Sequence, residues 1–223
     1  MIEDTKLFLE KIYQEHHQRG ERYGYLVCHG QRKRYIPSWI EKGKKVLDLG
    51  CRDGELTKSF IQGNKVTGAD IDRIALSLTE KRLGIETVWI DLNHQWPFKK
   101  ESFDVILCCE ILEHLLFIEP ILEKIYDSLT PGGQFIGSVP NSFRMRNRMK
   151  FLQGKEFDRD PTHLHRFSYE KLHALLGKYF KEFSIIPLQG KILPFLRVSE
   201  KTPRFLNRLF SRMFLWRAKK EER

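Results

Sequence analysis

The chain has 223 residues, is 41% hydrophobic and 30% charged, and carries a formal net charge of +10. That length fits one domain with a substantial core, and no stretch approaches the ~18 uncharged apolar residues that a membrane span requires. The charge is regional: residues 1–140 hold 19 Lys and Arg against 21 Asp and Glu, and residues 141–223 hold 20 against 8. An anionic partner or surface near the C-terminal third is one reading of that imbalance, and a solvated basic face is the other. Cys28, Cys51, Cys108 and Cys109 lack CxxC spacing and lie in or beside apolar runs, as reduced, buried thiols of a cytoplasmic protein would. The charged start MIEDTKLFLEKIYQEHH has no signal-peptide core, which agrees with a cytoplasmic expectation.

In chain order, near-helical spacing predicts a helix over 3–19 and a second over 32–41. Strands and helices then alternate. KVLDL (45–49) reads as a strand, 54–62 as a helix, KVTGAD (65–70) as a strand and 73–82 as a helix stopped by Gly84. ETVWI (86–90) and FDVILCC (103–109) read as strands, 117–129 as a helix closed by Pro131-Gly132-Gly133, and QFIGSV (134–139) as a strand. Apolar runs separated by amphipathic helices indicate a parallel sheet covered on both faces. The pattern breaks at Pro140; 141–166 is a polar, basic insertion, 168–180 a helix with Ser168 as N-cap, and 182–198 a final strand pair. The expected domains are an N-terminal helical cap (1–43), a central α/β domain (44–198) and a basic amphipathic tail (199–223).

The stretch VLDLGCRDGE (46–55) runs a strand into a glycine turn, where open α/β sheets bind ligands. A dinucleotide site wants G-x-G-x-x-G, but positions 50, 52 and 55 are Gly, Arg and Glu, and no GKS or GKT makes a P-loop. Asp70 ends the next strand 20 residues after Gly50, where a carboxylate can accept from both ribose hydroxyls. Asp91 ends the third strand, where a polar side chain could read an adenine edge. The register of Asp48, Asp70 and Asp91 is hard to obtain by chance.

In order, VLDLGCRDG, VTGADID, WIDLN, SFDVILCCEILEHL and LTPGGQFIGSVPN resemble the motifs of class I S-adenosylmethionine-dependent methyltransferases. The resemblance is strong over about 44–140, extends more loosely to about 187, and is closest to the branch holding ubiquinone-type and glycan- or lipid-cluster methyltransferases. It implies a Rossmann-like three-layer α/β sandwich with a mostly parallel seven-stranded sheet, here with N-terminal helices and a C-terminal amphipathic helix added. It also implies S-adenosyl-L-methionine as cofactor: Asp48 and Gly50 at the methionine part, Asp70 at the ribose, Asp91 and Leu92 at the adenine, Cys109 and Glu110 from the fourth strand, and Cys51, Gly54 and Ile71 as further cofactor-binding residues. Arg52 stands where the family commonly has Gly; it could face the cofactor's carboxylate or simply point to solvent.

Methyl transfer needs in-line positioning and a deprotonated acceptor, so a histidine is the natural base. The histidines in reach are His114 in EILEH and His163 and His165 in DPTHLHRF, of which His114 and His165 are the expected catalytic pair. No metal is expected, because E-x-x-E-H also occurs in metal-free relatives; the alternative ligand set is Glu110, Glu113, His114 and His165, which resembles the cluster of small-RNA 2′-O-methyltransferases. Arg19, Arg22, Tyr23 and Tyr25 are candidates for the acceptor pocket's roof. In the tail, Phe205, Leu206, Leu209, Phe210, Met213 and Phe214 would share one helical face, widened by Leu215 and Trp216, with Arg204, Arg208 and Arg212 on another. Such a helix over 202–220 would suit an anionic membrane surface, a second subunit or the domain itself.

The leading expectation is O-methylation of a small-molecule, glycan or lipid-linked acceptor by a cytoplasmic enzyme, with peripheral membrane association as the further reading of its tail. One alternative is an RNA methyltransferase whose Arg144, Arg146, Arg148 and Lys150 would meet phosphates; nucleic acid is the less favoured partner, because no base-amine motif or RNA domain accompanies them. A non-catalytic adapter is the other alternative, against which the intact Asp48, Asp70 and Asp91 argue.

Overall fold

Strands buried on both faces need apolar side chains at nearly every position, and the runs VLDL, VILCC and FIGSV supply them. The computed structural model describes residues 2–19, 23–158, 160–190 and 202–222, with residues 2–6 and 19 as backbone alone. Its strands are β1 (Lys45–Leu49), β2 (Lys65–Asp70), β3 (Glu86–Trp89), β4 (Phe103–Cys109), β5 (Leu129–Pro140), β6 (Glu182–Leu188) and β7 (Met213–Lys219). They form one sheet in the order β3-β2-β1-β4-β5-β7-β6, and β7 runs antiparallel to both neighbours. The other pairs are parallel.

The helices are α1 (Ile2–Arg19), α2 (His29–Ile40), α3 (Arg73–Leu83), α4 (Ile118–Ser128), α5 (Met145–Leu152), α6 (Tyr169–Gly177) and α7 (Arg204–Phe210). Strand alternation divides the core in two. Leu47, Leu49, Ile106, Cys108, Phe135 and Trp216 pack with Ile121, Leu122 and Ile125 of α4 and Leu172 and Leu176 of α6. Val46, Val66, Val105, Leu107 and Leu215 pack on the other face with Ile36 and Ile40 of α2. The expected three-layer α/β sandwich is therefore present.

Three local expectations are corrected. The region 54–62 holds only one 3-10 turn, Thr57–Ser59. Its hydroxyls are spent elsewhere, Thr57 on the Asp48 carboxylate and Ser59 on the Leu56 carbonyl, and such side-chain bonds compete with a continuous helix. The tail is not an amphipathic helix over 202–220: α7 ends at Phe210, and MFLWRAK becomes β7 between β5 and β6. Phe214, Leu215 and Trp216 are at most 1% exposed, so the surface offered to a membrane is interior to the sheet. A short apolar run satisfies either period, and the sheet's need for a partner decided it. The strand pair expected within 182–198 is instead β6 paired with the distant β7; residues 191–198 lie outside the described residues.

The β5–β7 join depends on a missing side chain. At Gly137 a Cβ would lie 2.2 Å from Trp216 Cζ2 and 2.4 Å from the Cys108 carbonyl oxygen. Among the described residues no helix is long and apolar enough to cross a membrane.

Candidate active site

The ends of β1, β2 and β4 open on one cavity of about 760 Å³. Of the residues expected at a cofactor, Asp48, Gly50, Cys51, Asp70, Ile71, Asp91, Leu92, Cys109 and Glu110 all line it. Gly54 does not; it lies against Leu83 and Thr79, so that a Cβ there would sit 2.7 Å from Leu83 Cδ1.

The turn is built from backbone constraints. Gly50 has φ +72°, its N–H donates to the Ala69 carbonyl at 2.7 Å, and a Cβ would fall 2.1 Å from Ile111 Cδ1. Arg52 has φ +50°, which explains the family's glycine at this position, since left-handed backbone costs an L-residue roughly 1–2 kcal/mol. Arg52 lines the cavity, and its side chain is held by protein groups. Nε donates to Asp53 Oδ1 at 3.1 Å and Nη2 to the Tyr25 carbonyl at 2.5 Å, which ties the α1–α2 connection to the turn. Its backbone N–H donates to Asp70 Oδ2 at 2.8 Å, while Asp72 N–H donates to Asp70 Oδ1 at 3.0 Å. The strand-end carboxylate is thus held in place before any ligand arrives.

The remaining acids differ in use. Asp48 accepts from Thr57 Oγ1 at 2.7 Å, and burial raises its pKa to about 7. Burial also raises Asp70 and Glu110. Glu110 itself has φ +59° and accepts from Ser138 Oγ at 3.1 Å. Asp91 is committed locally: Oδ1 takes the Asn93 N–H at 3.0 Å, and Oδ2 meets His94 Nδ1 at 2.6 Å. Its carboxylate organises the turn that presents Leu92 to the cavity.

Arg32, Tyr13, His16 and His17 are among the lining residues that the sequence did not reveal. Arg32 of α2 is 3% exposed, yet its Nε has no hydrogen-bond partner. A buried guanidinium with a free donor on a cavity wall is a site for an anionic ligand group. The pattern Arg32-Ile36-Ile40, four residues apart on one buried helical face, is the signal that could have found it. Tyr13, His16 and His17 of α1 form the roof, again on one helical face. His17 Nδ1 meets Asp72 Oδ2 at 2.8 Å, and His16 Nε2 lies 3.3 Å from Asp160 Oδ2. Of the roof residues proposed from sequence, Tyr25 lines the cavity and Tyr23 donates to Asp72 at 2.9 Å. Arg22 and the Arg19 side chain lie outside the described residues.

His114 lines the cavity, packed edge-on to Tyr13 with ring centroids 5.8 Å apart and near His163 at 4.8 Å. Its Nδ1 donates to the Thr162 carbonyl at 3.1 Å, which leaves Nε2 as the acceptor of the neutral ring. Burial, with His163 adding to it, lowers its pKa to about 4. His165 is not in the cavity. The Leu164 and His165 amides both donate to the Glu113 carbonyl, and the His165 ring turns out to the Leu116 carbonyl. His163 takes the inner place instead, its Nδ1 3.0 Å from Asp158 Oδ2. The metal-capable cluster is accordingly Glu113, His114 and His163, whose ligand atoms lie within 4.8 Å of one another. Neither carboxylate oxygen of buried Glu113 has a hydrogen-bond partner, and burial with Glu110 nearby pushes its pKa well up. An orphaned carboxylate beside two imidazoles is a donor set that a divalent cation fits.

Comparison with known proteins agrees with this geometry. A family model described as "Methyltransferase domain" matches residues 16–179. Ubiquinone biosynthesis O-methyltransferase of Pseudomonas putida is 33% identical over 115 residues, covering 47% of this chain and 50% of that protein. The same enzyme of Stutzerimonas stutzeri is 34% identical over the same shares of the two chains. The chain thus spans about half the length of the curated relatives it matches. Among solved structures, a SAM-dependent methyltransferase, possible histamine N-methyltransferase, of Thermotoga maritima superimposes with a TM-score of 0.71 at 19% identity, covering 95% of this chain and 98% of that one. An N-methyltransferase of Bradyrhizobium japonicum in complex with S-adenosyl-l-homocysteine does so at 0.59 and 17%, covering 87% and 86%. At these identities the structural likeness speaks for the fold.

Proposed function

The chain belongs to the methyltransferase-domain family, and from that premise we propose that it transfers the methyl group of S-adenosyl-L-methionine to a hydroxyl of a small-molecule acceptor. The observation that carries the reading is one cavity lined by Asp48, Asp70, Glu110 and the buried Arg32 at the strand ends. This set offers anionic groups to a cationic ligand and one cation to its carboxylate. Asp70 would take the ribose hydroxyls, Asp48, Gly50 and Cys51 the methionine end with Arg32 on its carboxylate, and Cys109 and Glu110 the neighbouring wall. Ile71 and Leu92 would flank the adenine. When bound, the cofactor supplies a methyl group already activated on a sulfonium.

The protein's share is then orientation, exclusion of water and removal of one proton. His114 would accept the acceptor's proton at Nε2, its tautomer held by the Thr162 carbonyl. Tyr13 and His16 would close the site from above. A lipid-linked acceptor is supported by α5, which lends Arg146, Asn147 and Lys150 to the cavity and exposes Met149, Phe151 and Leu152. Acceptor extracts incubated with the full chain and a labelled methyl donor test the reading. Label is expected in the small-molecule or lipid fraction, and His114→Ala is expected to lower turnover ~10²- to 10⁴-fold, with His165→Ala near wild type. Label confined to RNA would contradict it.

A second reading follows from the unpartnered Glu113 carboxylate. Glu113, His114 and His163 would hold a divalent cation, which would lower the acceptor hydroxyl's pKa where His114 otherwise acts as base. Metal content of the purified chain, with Glu113→Gln as control, distinguishes the two. A stoichiometric ion that Glu113→Gln abolishes supports the cation, and wild-type protein free of metal with full turnover in a chelator removes it.

A further inference from the structure

The basic excess of the C-terminal third has a specific place in the fold. Arg144 and, from α5, Arg146 and Lys150 line the cavity, and Arg212 joins them from the turn before β7. The turn is pinned, since the Arg212 backbone N–H donates to the Leu188 and Gln189 carbonyls. Among the described residues none of these four cations is in an ion pair. Arg144 Nε has only a 3.4 Å contact with Asn147 Oδ1. Elsewhere some arginines are paired with acids, Arg52 and Arg82 with Asp53, Arg73 with Glu10 and Arg208 with Glu170, and others lie over aromatic rings, as Arg166 does over Phe157 and Arg217 over Trp39. Of the acids that also line the cavity, Asp158 meets His163, Asp160 meets His16, and Glu110 accepts from Ser138 while it feels the charges of Arg32 and Arg212 without an ion pair to either.

Arg144 is half-buried while Arg146 and Arg212 are exposed; their mutual repulsion is screened by water and relieved further by an anion that joins them. The crowding registers at Arg144, whose pKa is drawn down by burial and then by Arg212 and Arg146. From this arrangement we infer that the methyl acceptor carries an oxyanion, a carboxylate or a phosphate, which Arg144, Arg146 and Arg212 bind with Lys150 beside them. The inference rests on the methyltransferase reading of the same cavity. Guanidinium forks match such oxyanions in two-point contacts. A polynucleotide track is disfavoured by Arg148, the fourth member of the alternating basic series. It does not line the cavity, and its Nε donates to the Phe143 carbonyl at 2.7 Å.

The test is calorimetry on the full chain saturated with S-adenosylhomocysteine, which keeps Arg32 and the glycine turn occupied. The probes are inorganic phosphate, benzoate and neutral benzamide. Phosphate or benzoate is expected to bind, more weakly as sodium chloride is added, and at least about tenfold more tightly than benzamide. The stronger of the two identifies the acceptor's oxyanion. In the double variant Arg144→Gln with Arg212→Gln, oxyanion affinity is expected to fall about 10- to 100-fold, while S-adenosylhomocysteine affinity stays within about twofold. Arg144→Lys, which keeps the charge, should recover part of the loss.

Phosphate and benzoate both binding no more tightly than benzamide overturns the inference, as does a double variant that binds oxyanions like wild type. A parallel loss of S-adenosylhomocysteine assigns the arginines to the cofactor and overturns it too. So does a 20-nucleotide RNA probe whose affinity falls as much in Arg148→Gln as in Arg144→Gln. Wild-type protein that fails to bind S-adenosylhomocysteine at all removes the parent reading, and this one with it.

Discussion

Replacing Trp216 by Ala asks whether the C-terminal segment is a surface helix or an inner strand. Trp216 is fully buried between β5 and β6, where it faces Gly137 in register and packs on Phe135 at 5.5 Å between ring centroids. Truncation of a core Trp costs ~3–5 kcal/mol. At roughly 2–4 °C per kcal/mol for a chain of this size, the melting temperature should fall by ~6–20 °C. The indole Nε1 has no hydrogen-bond partner, so Trp216→Phe removes a buried unsatisfied donor along with the extra ring. It should cost well under half as much. Gly137→Ala should destabilise by at least ~1–3 kcal/mol, because its Cβ meets both Trp216 and the Cys108 carbonyl. Combined with Trp216→Ala the loss should be less than additive, since the two share one contact. Lys219→Ala, an exposed position on the same strand with a surface pair to Glu222, should stay within about 1 kcal/mol. Urea and thermal unfolding measure all five variants beside wild type. Trp216→Ala as stable as Lys219→Ala would refute the placement of β7.

Asp48 makes ligand binding depend on pH. Its carboxyl holds a proton up to about pH 7 in the free protein, and the positively charged methionine end of the cofactor favours the ionised form. Binding should therefore release a proton and tighten by up to about tenfold per pH unit as pH rises from about 5.5 to 7. Calorimetry in buffers of different ionisation enthalpy reads the proton, and Asp48→Asn should abolish the release. On stability the sign reverses. A folded pKa raised above the unfolded one contributes stability that is fully present below about pH 4 and is lost as pH rises through about 7. Asp48→Asn should thus gain on wild type in urea unfolding as pH increases across that window; a constant difference would contradict the burial effect. Arg32→Ala should weaken S-adenosylmethionine binding about 10- to 100-fold, whereas Arg52→Ala should leave it within about threefold and lower the melting temperature. The opposite pattern would return the carboxylate to Arg52.

The parallel strands were legible because burial on both faces writes continuous apolar runs, and β1 to β5 fall where VLDL, VTGAD, ETVW, FDVILCC and QFIGSV stand. The lining by Asp48, Gly50 and Asp70 was legible for a related reason: strand ends meet on one side of a parallel sheet, so their positions follow from the strands. The tail was not. MFLWRAK satisfies a helical face with its neighbours and a buried strand by itself, and only the open position between β5 and β6 chooses. His163 and His165 stand two residues apart in one irregular segment, and the paired amide bonds to the Glu113 carbonyl decide which ring enters. Arg52 reads as a free cation until its +50° φ turns the side chain to Asp53 and Tyr25. Arg32 was hidden in the basic run HGQRKR, although its spacing from Ile36 and Ile40 marks the buried face.

The central claim is that this cavity holds a methyl donor through the carboxylate at the end of β2. Titration calorimetry of S-adenosylmethionine into the full chain, beside Asp70→Ala, tests it directly. Both Asp70 oxygens already accept backbone N–H groups, and the two ribose hydroxyls would add charge-assisted bonds of about 1.5–3 kcal/mol each. Wild-type protein is expected to bind one equivalent, and Asp70→Ala to lose at least about tenfold in affinity. Equal affinity in the two proteins, or no binding by wild type, would contradict the assignment.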